Sequence, residues 1–172
     1  DGELAHRDYA VLYVTGPNVP SAARANIAAW VAAGGTLVVM PGAATADAYD
    51  TVTDDLDEVL GLGPRAREHA TLLPPYAVRP WLGMAAEHFV NTGEGQGLSR
   101  LPVVGRVTAL VPTTAEVFAV FEDFQPAITI NTFGAGRAIA YGFLAGSQYE
   151  AAMPREVAAH LPDGDGGNAR HF

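Results

Sequence analysis

The chain has 172 residues, 49% hydrophobic and 17% charged, enough apolar material for one folded domain and too much for a disordered segment. A net charge of −9 with only 10 Lys plus Arg leaves no basic cluster to neutralise phosphates, which argues against nucleic acid and anionic membranes as partners. With no cysteine there is no disulfide, thiolate metal site or thiol nucleophile, and no apolar run approaches the roughly 20 residues of a membrane span.

Residues 1–8 form a polar lead-in in which His6, Arg7 and Asp8 read as solvated surface. The chain opens at Asp1 rather than Met and is read as a piece of a longer polypeptide; the compartment stays open, with the cytoplasm favoured. Residues 10–14 are an unbroken apolar run with the character of a strand buried on both faces. After a turn at residues 16–18, residues 20–33 switch to helical spacing, with Ala23, Ile27, Trp30 and Val31 on one face and Arg24 and Asn26 directed elsewhere. Gly34 and Gly35 end that helix, and residues 36–40 are again β-branched and apolar. Strand, helix and strand joined this closely predict a right-handed βαβ unit with its two strands parallel.

Residues 41–44 then fall at the carboxyl end of a parallel strand, where open α/β sheets place their ligands. A nucleophile elbow needs Ser or Cys at such a bend. This chain offers Ala43 and Ala44, with Thr45 the only nearby hydroxyl. The acidic run that follows, Asp47, Asp50, Asp54, Asp55, Asp57 and Glu58, fits either a hard-cation site or the start of a helix. The helix is expected, capped by Thr53 with Asp54 and Asp55 in its first turn, because Leu56, Val59 and Leu60 have helical spacing and Gly61 stops the pattern. No metal site is expected.

Residues 64–101 are broken by Pro64, Pro74, Pro75 and Pro80 and loosened by Gly93, Gly95 and Gly97, and they read as an irregular insertion. The GEGQG stretch lacks the Lys and hydroxyl residue of a phosphate loop and reads as surface. Tyr76, Trp81, His88 and Phe89 within this region form either a satellite core or a contact surface for a sugar or a partner protein. They are the binding candidates; residues 81–90 read as a short helix or strand.

Regular structure returns in the last third. Residues 103–110 and 117–121 read as strands, and residues 127–133 as a third with one wetter face. Gly134, Ala135 and Gly136 turn a tight hairpin into residues 137–142. Arg137 is expected to pair with Glu122 or Asp123, or to bind an anion. A helix at residues 151–160 and a flexible tail, residues 162–172, close the chain, so the domain is drawn as residues 1–161; Asp163 and Asp165 in that tail read as surface rather than as a calcium site.

Three blocks in this order resemble the glutamine-amidotransferase-like domain called the β-galactosidase trimerisation domain. They are the βαβ stretch with Val31, Gly34, Gly35, Leu37 and Val38; the acidic loop into Leu60 and Gly61; and the hairpin with Pro126, Ala127, Gly134, Gly136, Arg137 and Gly142. They cover about two-thirds of the chain, residues 64–101 being left out. The resemblance implies a flavodoxin-like three-layer α/β/α sandwich with a mixed, mainly parallel sheet and an antiparallel carboxyl-terminal hairpin, and a first strand and helix upstream of Asp1. Amidotransferases need a cysteine at the elbow, so the resemblance implies a domain that has lost its chemistry, with no catalytic residue and no cofactor. Its partners would be other domains or subunits of a bacterial, glycoside-hydrolase-type parent, in a homo-oligomer. Two other readings remain: an α/β hydrolase drawing on Ser99, Ser147, His88 and His160, and a carbohydrate-binding module using Tyr76, Trp81 and Phe89.

Overall fold

The computed structural model describes residues 9–65, 86–92, 100–105 and 107–146. Along them run strand β1 (Val11–Val14), helix α1 (Ser21–Ala32), strand β2 (Thr36–Val39), helix α2 (Asp57–Leu60) and strands β3 (His88–Thr92), β4 (Leu101–Val103), β5 (Glu116–Phe121), β6 (Pro126–Phe133) and β7 (Gly136–Tyr141). The strands form one seven-stranded mixed sheet, in the order β1-β2-β7-β6-β5-β3-β4, curled into a half-barrel.

The predicted βαβ unit is present, with Val11 opposite Thr36 and Val14 opposite Val39 in parallel register. The expectation of a mainly parallel sheet is corrected. Only β1 with β2 and β2 with β7 run parallel, while β7-β6, β6-β5, β5-β3 and β3-β4 are antiparallel. The reason lies in the connections: the links after β5 and β6 are too short for a crossover, so each strand must return beside its predecessor. Both described helices pack on one face of the sheet, and a second helical layer is not among the described residues. The predicted helix at 151–160 and the tail at 162–172 lie outside the described residues.

The expectation of a strand buried on both faces also fails for β1. It pairs only with β2, and although Leu12 and Val14 pack into the core, Val11 and Tyr13 are exposed on the other face. A continuous apolar run specifies a strand but not whether that strand ends up at a sheet edge. The strand expected over residues 103–110 is likewise shorter. Backbone turns at Gly105 (φ 88°), and Thr108 and Leu110 then donate to the carbonyls of Gly142 and Pro126 instead of continuing a ladder.

Two apolar clusters fill the interior. The first joins Ile27 and Val31 of α1, Leu37 and Val39 of β2, Leu56, Val59 and Leu60 around α2, and Ala138 and Ala140 of β7. Burial of each large side chain such as Leu37 or Leu60 contributes about 1.5–3 kcal/mol. The second lies in the antiparallel half, around Val90, Val103, Phe121, Ile128 and Phe143, where Phe121 and Tyr141 both meet Phe143 edge-on.

The sequence's two glycine pairs meet in space. Ala135, in the β6–β7 turn, donates its N–H to the carbonyl of Ala32 at the end of α1, and Arg137 donates to the carbonyl of Gly35. A Cβ on Gly136 would lie 2.1 Å from the carbonyl oxygen of Val31 and 2.3 Å from that of Gly35, so only glycine lets the hairpin approach the helix this closely.

Candidate functional site

The bend at residues 41–44 stands at the carboxyl end of β2, with Gly42 at φ 71° and Ala44 at φ 52°. Ala43 and Ala44 are fully buried, and the N–H of Ala44 is spent on the carbonyl of Gly16 (2.9 Å). Thr45, the nearby hydroxyl, is also buried and donates to the carbonyl of Gly42 (2.8 Å). Nothing nucleophilic is presented at this bend.

Two arginines that sequence reasoning missed stand nearby, and one of them, Arg65, closes the bend. Arg65 donates to the carbonyls of Ala43 (2.6 Å) and Ala44 (3.1 Å) and pairs with Asp57 at the start of α2. Burial pushes the Asp57 carboxyl above the usual range, against the opposing pull of the Arg65 charge. Arg24, expected to face away from the core, is 3% exposed. It donates to the carbonyl of Val19, reaches that of Ala46 (3.5 Å), bonds Ser21 Oγ (3.1 Å) and pairs with Asp55 (2.7 Å). The Arg24 guanidinium, helped by the Thr53 hydroxyl, holds the Asp55 carboxyl below the ordinary aspartate value. Spacing carried the missed signal: Arg24 precedes Ile27 by three and Val31 by seven, which is the stripe that α1 buries.

Four carboxylates of the acidic run have structural roles within the fold. Asp47 accepts the backbone N–H groups of Tyr49 and Thr51, both at 2.8 Å, which hold its carboxyl low. Asp55 and Asp57 face the two arginines. α2 begins three residues later than expected, with Asp57 and Glu58 in its first turn, because Thr53 bonds the N–H of Asp55 in a local turn rather than capping the helix. Gly61 ends α2 at φ 64°, as its place in the pattern predicted. Asn131 of β6 donates to the carbonyl of Val59 (3.0 Å), tying the helix to the sheet. Among the described residues no group of three or more His, Asp or Glu is disposed to hold a metal ion, and no helix is long and apolar enough to cross a membrane.

A second concavity, a groove of about 360 Å³, opens beside the β5–β6 turn. His88 and Phe89 of β3 line it together with Val107, Ala109 and Phe121, and Glu122, Asp123 and Gln125 form its lip. Two of the four binding candidates are thus brought together, while Tyr76 and Trp81 lie outside the described residues, as do Ser99, Ser147 and His160. Arg100 contacts two of the lining residues: its guanidinium sits 3.7 Å from the centre of the Phe89 ring and donates to Glu122 at 2.7 Å. The expected pairing of Glu122 or Asp123 with Arg137 is corrected. Arg137 lies at the opposite end of β6, opposite Thr132, where it donates to Thr36 Oγ1 (3.4 Å).

At the turn itself Phe124 stands at φ 64° and is 84% exposed. Its N–H donates to the carbonyl of Phe121 (3.0 Å) and the N–H of Phe121 to that of Gln125 (2.9 Å), a turn whose left-handed position costs an L-residue about 1–2 kcal/mol relative to glycine.

These observations define a class: an α/β domain on a mixed sheet whose strand-end bend is closed by arginine and whose open concavity lies at a hairpin. No family model matches the chain, and no curated protein matches it. Solved structures do. A catalytic mutant of Gan42B, a GH42 β-galactosidase from G. stearothermophilus, is 25% identical, with a TM-score of 0.60 over 88% of this chain and 21% of that one. The β-galactosidase of Bacillus circulans sp. alkalophilus is 21% identical, with a TM-score of 0.64 over 83% of this chain and 21% of its own. That of the Antarctic haloarchaeon Halorubrum lacusprofundi is 20% identical, with a TM-score of 0.59 over 91% and 24%. The chain therefore shares its fold with one portion of such β-galactosidases and spans about a fifth of the length of those it matches.

Proposed function

We propose that this chain is a non-catalytic accessory domain of a larger, glycoside-hydrolase-type bacterial protein, acting in oligomerisation or in packing against a catalytic domain. The observation that carries the reading is the asymmetry of coverage: 88% of this chain corresponds to 21% of a GH42 β-galactosidase. The closed bend supports it, since Ala43 and Ala44 are buried and their carbonyls are bound by Arg65 where an amidotransferase-like, flavodoxin-like ancestor would present a thiol. His88 and Phe89 are assigned to partner contact rather than to sugar stacking, because the Arg100 guanidinium lies over the Phe89 ring. Tyr76 and Trp81 remain candidates for the same surface.

The test has two arms. The chain alone, incubated with an aryl β-galactoside, is expected to release no aglycone, and a longer polypeptide carrying it is expected to hydrolyse that substrate and to lose subunits when residues 1–161 are deleted. Turnover by the chain alone that Ser147→Ala abolishes would establish the hydrolase reading instead.

A further inference from the structure

We infer that residues 151–161 dock as a helix on the sheet face opposite α1 and α2, over β2 and β7, so that this face is closed by the chain itself and is not open to a partner. The inference goes beyond the accessory-domain reading and does not depend on it.

The face is defined by register. α1 and α2 take the side of the sheet that carries Leu37, Val39, Ala138 and Ala140. Alternation along each strand sends the residues between them to the other side. There Tyr13, Val38, Ile139 and Ile130 stand opposite one another in a single apolar row across β1, β2, β7 and β6. No described helix packs on that row. Its exposure is nevertheless uneven, for Tyr13 is 65% exposed and Val38 only 4%. Val38 belongs to neither apolar cluster of the described residues. Side chains stand roughly upright on a sheet, so Tyr13 and Ile139 shield the flanks of Val38 and leave its tip uncovered. The cover comes from chain outside the described residues. A helix is about 10 Å across and strands are about 4.8 Å apart, so one helix spans two strands. Laid on β2 and β7, it hides Val38 and leaves Tyr13 of the edge strand in water, which is the gradient observed.

The occupant follows from where each outlying segment is attached. Residues 1–8 are polar and enter at the β1 edge. Residues 66–85 run from Arg65, held by Asp57 on the α2 side, to β3 beyond β5, and residues 93–99 join β3 to β4 at the far edge. Residues 147–172 instead follow β7 in the middle of the sheet, and residues 147–150 reach about 13–14 Å when extended, enough to turn back over it. In this segment Met153, Val157 and Leu161 recur every fourth residue, on one face of a helix that carries Arg155 on the other. Pro154 falls in the first turn, where a missing N–H is tolerated, and Pro162 stops the helix.

The full chain has no cysteine, so an introduced pair reports the contact directly. Ile139→Cys combined with Val157→Cys is expected to close an intramolecular disulfide under a mild oxidant at least about tenfold faster than Ile139→Cys combined with Arg155→Cys, as followed by mass spectrometry. Val157→Asp is expected to lower the melting temperature by about 5 °C or more, and Arg155→Asp by about 1 °C or less. Equal closure of the two pairs overturns the inference, and so does a Val157→Asp chain that melts as wild type does. Faster closure of Ile139→Cys with Trp81→Cys would give the face to residues 66–85 instead. Closure of Ile139→Cys between two copies would make the face an interface, and either result sinks the assignment.

Discussion

Two regions at the same end of the sheet are finished in opposite ways. At the carboxyl end of β2 the chain bends through buried alanines, and the carbonyls that bend leaves behind are taken up by Arg65 from a neighbouring segment. At the β5–β6 turn the backbone satisfies itself through a hairpin, and the side chains are turned outward, Phe124 most of all. The comparison teaches that a fold whose relatives include enzymes can spend its strand-end bend on internal cohesion and still present a surface elsewhere. Burying a guanidinium at the first region and exposing an aromatic ring at the second each cost stability, and only the first cost is offset inside the chain.

The comparison breaks most directly at the glycine contact that fixes the parallel half to the hairpin. Gly136→Ala puts a methyl against two backbone carbonyls that cannot swing aside, and a loss of about 3 kcal/mol or more is expected in urea unfolding. Arg24→Met should cost about 1–3 kcal/mol by the same measurement, because the part-buried carbonyl of Val19 loses its donor, while that of Ala46 keeps the Val19 N–H and the exposed Asp55 carboxylate returns to water. Arg65→Met is expected to cost about 1–3 kcal/mol, and it should loosen the bend without creating activity, since no nucleophile stands behind the guanidinium.

A fourth outcome concerns pH. Because Asp55 is held below its ordinary value in the folded chain, its pairing stabilises the fold above that ordinary value, and the contribution is lost as pH falls through the depressed one. Asp55→Asn should therefore lower the melting temperature near neutrality and flatten its fall in acid, as a thermal melt at stepped pH would register. The smallest effect belongs to the second region: Phe124→Gly is expected to raise stability by about 0.5–1 kcal/mol, the opposite sign to the other variants.

How much of this was legible beforehand differs between the same two regions. The βαβ unit, the Gly61 stop and the β6–β7 hairpin could be read from the chain, because each is written in local spacing and in residues that permit only certain backbone angles. The direction of most strand pairs was not, since periodicity finds a strand but says nothing of its neighbour. Nor was the exposed face of β1, for an edge strand and a central one can share the same apolar run. Arg24 was misjudged because charge was allowed to outweigh position: its place on the stripe with Ile27 and Val31 told more than its type. Of the candidate contact residues, His88 and Phe89 do share one groove, but its far wall comes from residues nearly twenty or more positions away, which no local pattern joins to them.

The contact between the β6–β7 turn and the end of α1 also bears on how the chain comes into being. Arg137 meets Thr36 across 101 residues, and α1 receives its last donor from the same turn, so the first helix emerges from the ribosome long before the strand that completes it. Until β7 is synthesised, β2 has a partner on one side only, and a polypeptide interrupted before residue 136 would hold the early unit in a half-paired, adhesive state.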